Sequence, residues 1–270
     1  MKSHATPFFS YAKIVLILAM LSAGAWWYRN QGPRQAAAMA PSFLVVGTNV
    51  GYPPFVMTDE QGDIIGFDAD IAIEIAHRLN RTVAFKDMAF EVLLLSLMQG
   101  SVDMVIGGMS ITQERKKKGL LMPYHGERVK SVALFANGPL AVHSLADLAA
   151  AGTTVCTQAG SLFEELLEGY EGIRLKTLPD IVDIVLEIEH GRSEVAVLDV
   201  DTVSLLQQHH SWLQAREVLL QPHEQIEGYG IGIAQENDVL RKEVAAAIEA
   251  MKADGAFAKL KRKWFGPHKG

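Results

Sequence analysis

From residue 43 onward, short apolar runs alternate with segments of helical periodicity. Residues 43–48 form a short apolar run that is typical of a buried strand. Ile71, Ile75 and Leu79 then recur at a spacing of four, which places them on one face of a helix. Because strands that alternate with helices pair in parallel through crossover connections, this order predicts an α/β fold with a mainly parallel sheet covered by helices.

The same alternation restarts after residue 130. It contains predicted strands at residues 153–157 and 194–198, and a further predicted strand at 228–234 is followed by helices. Two similar units and a returning C-terminal segment predict two lobes joined by two crossings, with a cleft between them. We expect lobe 1 to comprise residues 41–131 and 230–270 and lobe 2 residues 132–229, with hinges near residues 132–137 and 227–230.

The first 40 residues have the pattern of a targeting segment. Lys2 and Lys13 precede an apolar run at residues 14–27, and the small residues 23–25 offer a cleavage site. The run is short for a membrane-spanning helix, which needs roughly 20 apolar residues. We therefore expect residues 1–40 to be a signal peptide or an uncleaved N-terminal membrane anchor with a linker. Either alternative places the rest of the chain in the periplasm.

Charge and cysteine content exclude several classes of protein. The formal net charge is −6, and no basic block is large enough to indicate nucleic-acid binding. The single cysteine, Cys156, permits no intrachain disulfide. The nine histidines are scattered without zinc-ligand spacing, and no catalytic triad order or phosphate loop stands out. We expect no metal, no cofactor and no catalytic residue.

Several motifs, in a fixed order, carry a family resemblance. They are Gly47-Thr48-Asn49 with Tyr52-Pro53-Pro54-Phe55, Gly66-Phe67-Asp68-Ala69-Asp70, Gly107-Gly108-Met109-Ser110 through Arg115, Ala196-Val197-Leu198-Asp199 and Gly228-Tyr229-Gly230. With these motifs the chain resembles the amino-acid-binding group of the bacterial family 3 solute-binding proteins. The resemblance implies the type II periplasmic-binding fold and delivery of an amino acid to the membrane permease of an ABC importer. It also implies a monomer.

The resemblance implies a site for both main-chain charges of an amino acid. A planar arginine fork suits the ligand carboxylate, and Arg115 stands where the family places that arginine. From its local sequence alone, Arg115 is better explained as a surface arginine that pairs with Glu114 or caps a helix. The expected carboxylate contacts are Arg115, Thr112, Ser161 and Leu162, and the expected ammonium contacts are Asp199, Ser110 and Gly108. Asp201 is a rival for the role of Asp199.

The ligand side chain is expected to contact two aromatic residues and two amides, Tyr52, Phe90, Asn49 and Gln158. Family members that bind cationic ligands often carry an acid where this chain has Asn49. Residues 123–127, 190–191 and 195–199 nevertheless look closest to arginine-binding members, and Glu127 or Asp87 are candidates for the negative charge. Arginine is the first expectation and glutamine the next.

Two other functions remain open from the sequence. Some relatives of this fold resemble cyclohexadienyl dehydratases, which act on a prephenate-like acid and would also use an arginine for a carboxylate. A pairing of Ser110 with Asp199 at an ammonium argues against that enzyme. The other alternative is a ligand-binding sensor subunit that signals through a partner, which an uncleaved N-terminal anchor would permit.

Overall fold

The structure is a computed structural model that describes residues 42–129 and 131–266. The predicted signal peptide or anchor at residues 1–40 lies outside the described residues. Within the described ranges, no helix has an apolar stretch long enough to cross a membrane. The described residues from Phe43 onward belong to one compact structural unit.

The first sheet contains the opening strand of the chain and a strand from near its C-terminus. Its strands are β1 (Phe43–Thr48), β4 (Thr82–Asp87), β5 (Met104–Val105), β6 (Ser110–Ile111), β7 (Leu120–Val129) and β13 (Ile226–Ile233). Their order is β4-β1-β5-β13-β6, and β7 also pairs with β13. β1 is parallel to both β4 and β5, whereas β13 is antiparallel to its neighbours. A separate short hairpin is formed by β2 (Met57–Thr58) and β3 (Ile64–Ile65).

The second sheet is built from the middle of the chain. Its strands are β8 (Ser131–Asn137), β9 (Thr154–Gln158), β10 (Arg174–Leu178), β11 (Val195–Leu198) and β12 (Leu213–Leu219), in the order β10-β9-β11-β8-β12. β9 is parallel to β10 and β11, while β8 is antiparallel to β11 and β12. The sequence pattern did not reveal β10 or β12, because both lie at the ends of the sheet and carry exposed polar residues.

The chain passes between the two sheets twice. The first passage joins β7 to β8 and the second joins β12 to β13. Both ranges in which we expected a hinge lie inside strands instead, since residues 132–137 belong to β8 and residues 227–230 to β13. Paired strands are held by their ladder of hydrogen bonds, so bending is easier in the connection between β12 and β13, at residues 220–225. The exact bounds of the lobes remain a prediction.

Helices cover both sheets. They are α1 (Phe67–Arg78), α2 (Leu93–Met98), α3 (Gln113–Lys118), α4 (Leu145–Ala150), α5 (Leu162–Glu168), α6 (Ile181–Glu189), α7 (Val200–His209), α8 (Asp238–Ala253) and α9 (Ala256–Phe265). The predicted face of α1 is confirmed, because Ile71 and Ile75 are fully buried against the first sheet and Leu79 packs partly buried against the same core. Val155 and Val197 are fully buried in the second sheet. Each sheet thus carries its own apolar layer, which fixes the loops that follow its strands.

Candidate functional site

A small cavity lies where the carboxyl ends of strands from both sheets meet. β1 and β5 lead to Tyr52 and Gly108, and β9 and β11 lead to Ser161 and Asp199. Loops at the carboxyl ends of parallel strands are the usual ligand sites of α/β sheets. The cavity is lined by Tyr52, Phe90, Gly108, Ser110, Arg115, Gln158, Ser161, Leu162, Phe163, Leu198 and Asp199. It therefore brings together every predicted site residue except Thr112 and Asn49.

Arg115 is held at the cavity by the start of α3. Thr112 caps this helix, since its hydroxyl accepts a hydrogen bond of 3.2 Å from the backbone N–H of Arg115. The guanidinium is 4% exposed and lies 5.3 Å from the centre of the Phe90 ring. Its two terminal nitrogens donate hydrogen bonds of 2.8 Å to the carbonyls of Ser110 and Gly160. The surface alternative for Arg115 is thus wrong, because the side chain is buried.

The positive charge of Arg115 is not neutralised by an ion pair. Among the described residues no carboxylate lies within 4.0 Å of its guanidinium. Burial lowers the pKa of Arg115, and the more distant charge of Glu165 partly offsets that effect. A buried, fixed cation that contacts carbonyl oxygens in place of a carboxylate is suited to receive an anionic group.

Asp199 presents the opposite charge from the second sheet. It directly follows β11 and precedes α7, and it is 4% exposed. Its Oδ1 accepts a hydrogen bond of 2.5 Å from the hydroxyl of Tyr229, a residue of β13 in the first sheet. Its Oδ2 is buried and has no hydrogen-bond partner among the described residues. Its rival Asp201 is exposed and does not line the cavity.

Burial dominates the protonation of Asp199. It raises the pKa of this carboxyl from 3.8 to about 7, and the hydrogen bond from Tyr229 acts in the opposite direction. A cationic group placed at the free Oδ2 would favour the charged form and restore a low pKa. The charge of the Asp199 carboxyl therefore depends on whether a cation lies beside it.

Gly108 forms one wall because only a glycine fits there. Its φ is +60°, and a Cβ on this residue would lie 2.3 Å from Cε1 of Tyr52. The loop is also tied from behind, since the N–H of Gly108 donates a hydrogen bond of 2.6 Å to Oδ2 of the fully buried Asp68. The hydroxyl of Tyr124 donates to the other oxygen of Asp68 at 2.5 Å. The backbone of Gly108 and the ring of Tyr52 are thus held next to each other on this wall of the cavity.

Three other predicted polar residues, Ser161, Gln158 and Asn49, have different structural roles. Ser161 caps α5, because its hydroxyl accepts from the N–H of Glu164 at 3.2 Å. Gln158 lines the cavity and donates a hydrogen bond of 2.8 Å to Oδ1 of Asn49. Asn49 is buried but does not line the cavity, and it links the end of β1 to the end of β9.

Asp87, one of the two acids expected to supply a negative charge, does not line the cavity. The carboxylate of Asp87 is exposed and accepts a hydrogen bond of 2.9 Å from the N–H of Val50. The side chain of Glu127 is outside the part of the structure that is described. Asp87 therefore does not supply the charge complement for a cationic ligand from the cavity wall.

The cavity is narrow in this conformation. Its volume is about 10 Å³, which is room for roughly one water molecule. Hydrogen bonds join its walls across the two sheets, from Arg115 to Gly160, from Gln158 to Asn49 and from Thr202 to the carbonyl of Pro53 at 2.8 Å. Entry of a ligand larger than water requires the walls to separate.

Three residues at the cavity escaped the sequence analysis. Phe163 and Leu198 are apolar members of a helix and a strand, and nothing in their local sequence distinguishes them from core residues. Tyr229 lies in a motif that carried the family resemblance, but its contact with Asp199 depends on β13 returning to the first sheet. Within the described residues no cluster of three or more acidic, histidine or cysteine side chains is arranged for a metal ion.

Comparison with known proteins gives the family. Residues 44–267 match the bacterial extracellular solute-binding proteins, family 3. The chain belongs to this family. A relative from Chlamydia trachomatis, named as a probable ABC transporter arginine-binding protein, ArtJ, is 33% identical over 82% of this chain and 85% of its own length. The name of the family describes extracellular solute-binding proteins, and the expected class of protein is thus confirmed.

Solved structures of this family have the same fold. An ancestral arginine-binding protein bound to arginine matches 83% of this chain and 99% of its own, with 32% identity and a TM-score of 0.76. An ancestral arginine-binding protein bound to glutamine gives a TM-score of 0.74 at 32% identity, over 83% of this chain and 98% of its own. The type II periplasmic-binding fold is therefore confirmed. These relatives are named as binding proteins, which supports a solute-binding protein over the dehydratase alternative.

Proposed function

We propose that this protein binds an L-amino acid between its two sheets and delivers it to the permease of an ABC importer. One observation carries the proposal. Arg115 and Asp199 line the same cavity with opposite charges, yet neither forms an ion pair with any described residue. Two buried, opposite and unpaired charges are complementary to a zwitterion, because each can be neutralised by one end of the ligand.

Each end of the ligand then has a defined set of contacts. The carboxylate is received by the guanidinium of Arg115, with backbone N–H groups around Thr112, Ser161 and Leu162 as further donors. The ammonium is received by the free Oδ2 of Asp199. The hydroxyl of Ser110 and the carbonyl of Gly108 are the neighbouring acceptors on the opposite wall.

Arginine is the first ligand to test and glutamine the next. The relative from Chlamydia trachomatis is named for arginine, and one ancestral arginine-binding structure holds arginine and another holds glutamine. Tyr52 and Phe90 offer flat apolar faces on which a guanidinium or an aliphatic stem can stack. Gln158 and Asn49 provide amide groups that suit either side chain.

Binding is expected to be coupled to closure of the two lobes. Arg115 belongs to the first sheet and Asp199 to the second, so a ligand that contacts both stabilises the closed arrangement more than an open one. The connection between β12 and β13, at residues 220–225, would act as a hinge. The reaction is reversible binding without chemistry.

The proposal extends to the cellular setting. We expect a monomer that diffuses between ligand and permease in the periplasm. Residues 1–40 would serve as the export signal or as a retained membrane anchor. A retained anchor would also suit the sensor alternative, in which the bound state is recognised by a signalling partner instead of the permease.

A thermal-shift screen of the full chain tests the proposal. The panel contains the twenty amino acids, ornithine, citrulline and prephenate, after any co-purified ligand has been removed by unfolding and refolding. A ligand that binds only the folded chain raises the melting temperature, by an amount that grows with its concentration relative to Kd. Stabilisation by arginine or another amino acid supports the proposal. Stabilisation by prephenate alone would favour the enzyme, and no response across the panel would contradict amino-acid binding.

A further inference from the structure

We infer that Asp180 is the specificity-determining residue that makes this cleft prefer an amino acid with a cationic side chain. The inference rests on the proposed function and names the substrate class of the same site. Asp180 did not stand out in the sequence, since it lies 131 residues from the Asn49 side chain that it contacts. Its location relative to Asn49 and Gln158 carries the argument.

Asp180 occupies a helix cap but does not act as one. It is the N-cap residue of α6, where an aspartate carboxylate ordinarily accepts from backbone N–H groups of the first turn. No such hydrogen bond is present here, whereas Thr112, Ser144 and Ser161 each make theirs. The carboxylate of Asp180 points instead to the amide of Asn49, with Oδ1 3.4 Å from Nδ2.

Asn49 connects this carboxylate to the ligand cavity. Its Oδ1 accepts a hydrogen bond of 2.8 Å from Nε2 of Gln158, and Gln158 lines the cavity. The same Nε2 donates to the carbonyl of Pro179 at 3.1 Å, the residue directly before Asp180. One amide thus lies between the cavity wall and the acid, and the segment that bears the acid is hydrogen-bonded to that wall.

The negative charge of Asp180 is also available. Among the described residues no lysine, arginine or histidine lies within 4.0 Å of it. Two other acids near the cleft are already engaged, since Asp87 accepts from the N–H of Val50 and Glu164 accepts from the N–H of Gly160 at 2.6 Å. Asp180 is half-buried, so water screens its field less than that of an exposed acid.

This arrangement supplies the acid that is absent at position 49. A ligand anchored by Arg115 and Asp199 carries its side chain toward Gln158 and Asn49, whose amide oxygens can accept from a guanidinium or an ammonium. A cation that reaches Asn49 lies near the carboxylate of Asp180 and is stabilised by it, because Coulomb attraction falls only as the inverse of distance. A neutral side chain of the same shape gains nothing from this charge.

The test compares L-arginine with L-citrulline, its neutral isostere, by isothermal titration calorimetry on the full chain. Asp180→Asn removes the charge and keeps the shape. Asp183→Asn is the matched control, because Asp183 lies in the first turn of the same helix and its substitution removes an equal charge. We expect Asp180→Asn to weaken arginine binding by about tenfold or more, and to change citrulline binding by less than about twofold. Asp183→Asn is expected to leave both affinities within about twofold of the parent.

Other results would overturn the inference. If Asp180→Asn binds arginine like the parent, the acid does not select the ligand, while amino-acid binding stands. Equal loss of arginine and citrulline would mean that Asp180 maintains the fold of the site without selecting charge. A parent that binds neutral amino acids and not arginine overturns the inference alone. A parent that binds no amino acid overturns the proposed function as well.

Discussion

The hydroxyl of Tyr229 donates a hydrogen bond of 2.5 Å to one oxygen of Asp199, and the other oxygen of that carboxylate is buried without a hydrogen-bond partner among the described residues. The contact joins β13 of the first sheet to the end of β11 in the second. It orients the carboxylate while leaving one acceptor free. Because burial raises the pKa of Asp199 to about 7, this acceptor is sensitive both to pH and to a neighbouring cation.

The affinity for an amino acid should fall below neutral pH. In the free chain Asp199 is mostly protonated below about pH 7, and the ammonium of the ligand requires the charged form. Binding therefore releases a proton, and Kd should rise by up to about tenfold for each pH unit below that value. Titrations of the parent between pH 5 and 8 at fixed ionic strength measure this slope. In Asp199→Asn affinity should be weak and independent of pH, and an unchanged slope in that variant would contradict the assignment.

The contribution of Asp199 to the stability of the ligand-free chain should fall as pH rises, whereas its contribution to ligand affinity should increase. The pKa of this carboxyl is raised on folding from 3.8 to about 7, so the folded state binds more protons than the unfolded state between these values. The group therefore lowers the free energy of unfolding as pH rises through this window. Asp199→Asn stays neutral, and its melting temperature should exceed that of the parent more at pH 8 than at pH 4.5. An equal difference at both pH values would show that Asp199 ionises normally. Asp68 and His125 also have shifted pKa values, but their contributions to the pH dependence are the same in parent and variant and cancel in this comparison.

Arg115→Met should abolish most of the affinity. The substitution leaves the ligand carboxylate buried without its charged partner, which costs about 2–5 kcal/mol for truncated pairs of this kind, or roughly 30- to 5,000-fold in Kd. Arg241→Met on the surface of α8 is the control, because it removes the same charge from a side chain that is 36% exposed. Calorimetric titration of both variants with arginine measures the effect. Equal affinities in the two variants would remove Arg115 from the site.

Gly108→Ala should weaken binding through a clash with Tyr52. The added Cβ would lie 2.3 Å from that ring, and φ at this position is +60°. Gly100→Ala is the matched control, because φ there is +67° and no atom lies within 4 Å of the added Cβ. Both variants should lose about 1 kcal/mol of stability from backbone strain, but only Gly108→Ala should lose affinity. Melting curves of the two variants measure the effect of backbone strain, and titrations measure the effect of the clash on affinity. An unchanged Kd in Gly108→Ala would show that the position of Tyr52 beside Gly108 does not matter for binding.

Local sequence predicted β1 and β13 of the first sheet and β9 and β11 of the second because buried strands must be apolar, but it gave the residues of β8 as a hinge. The outer strands β10 and β12 escaped because their exposed faces carry polar residues, such as Lys176 and Arg216, that obscure the apolar pattern. The family motifs identified Arg115 and Asp199 as site residues. The local spacing and the charge of Arg115 would not have distinguished it from a surface residue. The motifs did not show how the site is held together.

Contacts between distant segments could not be read from the sequence. Asp68 fastens the N–H of Gly108 from 40 residues away, and Asp180 reaches Asn49 from 131 residues away. Such pairs depend on the register of two sheets and on how closely the sheets approach. Asp180 in particular has the sequence signature of an ordinary helix cap, and only its side-chain direction reveals another role.

The most direct test of the account compares L-arginine with agmatine, which lacks the carboxylate, in parent and Arg115→Met by calorimetric titration of the full chain. The account predicts that the parent binds agmatine at least about 30-fold more weakly than arginine, and that Arg115→Met binds the two ligands about equally. If the parent binds agmatine as tightly as arginine, or if Arg115→Met retains the preference for arginine, Arg115 does not receive the ligand carboxylate and the proposed binding mode is contradicted.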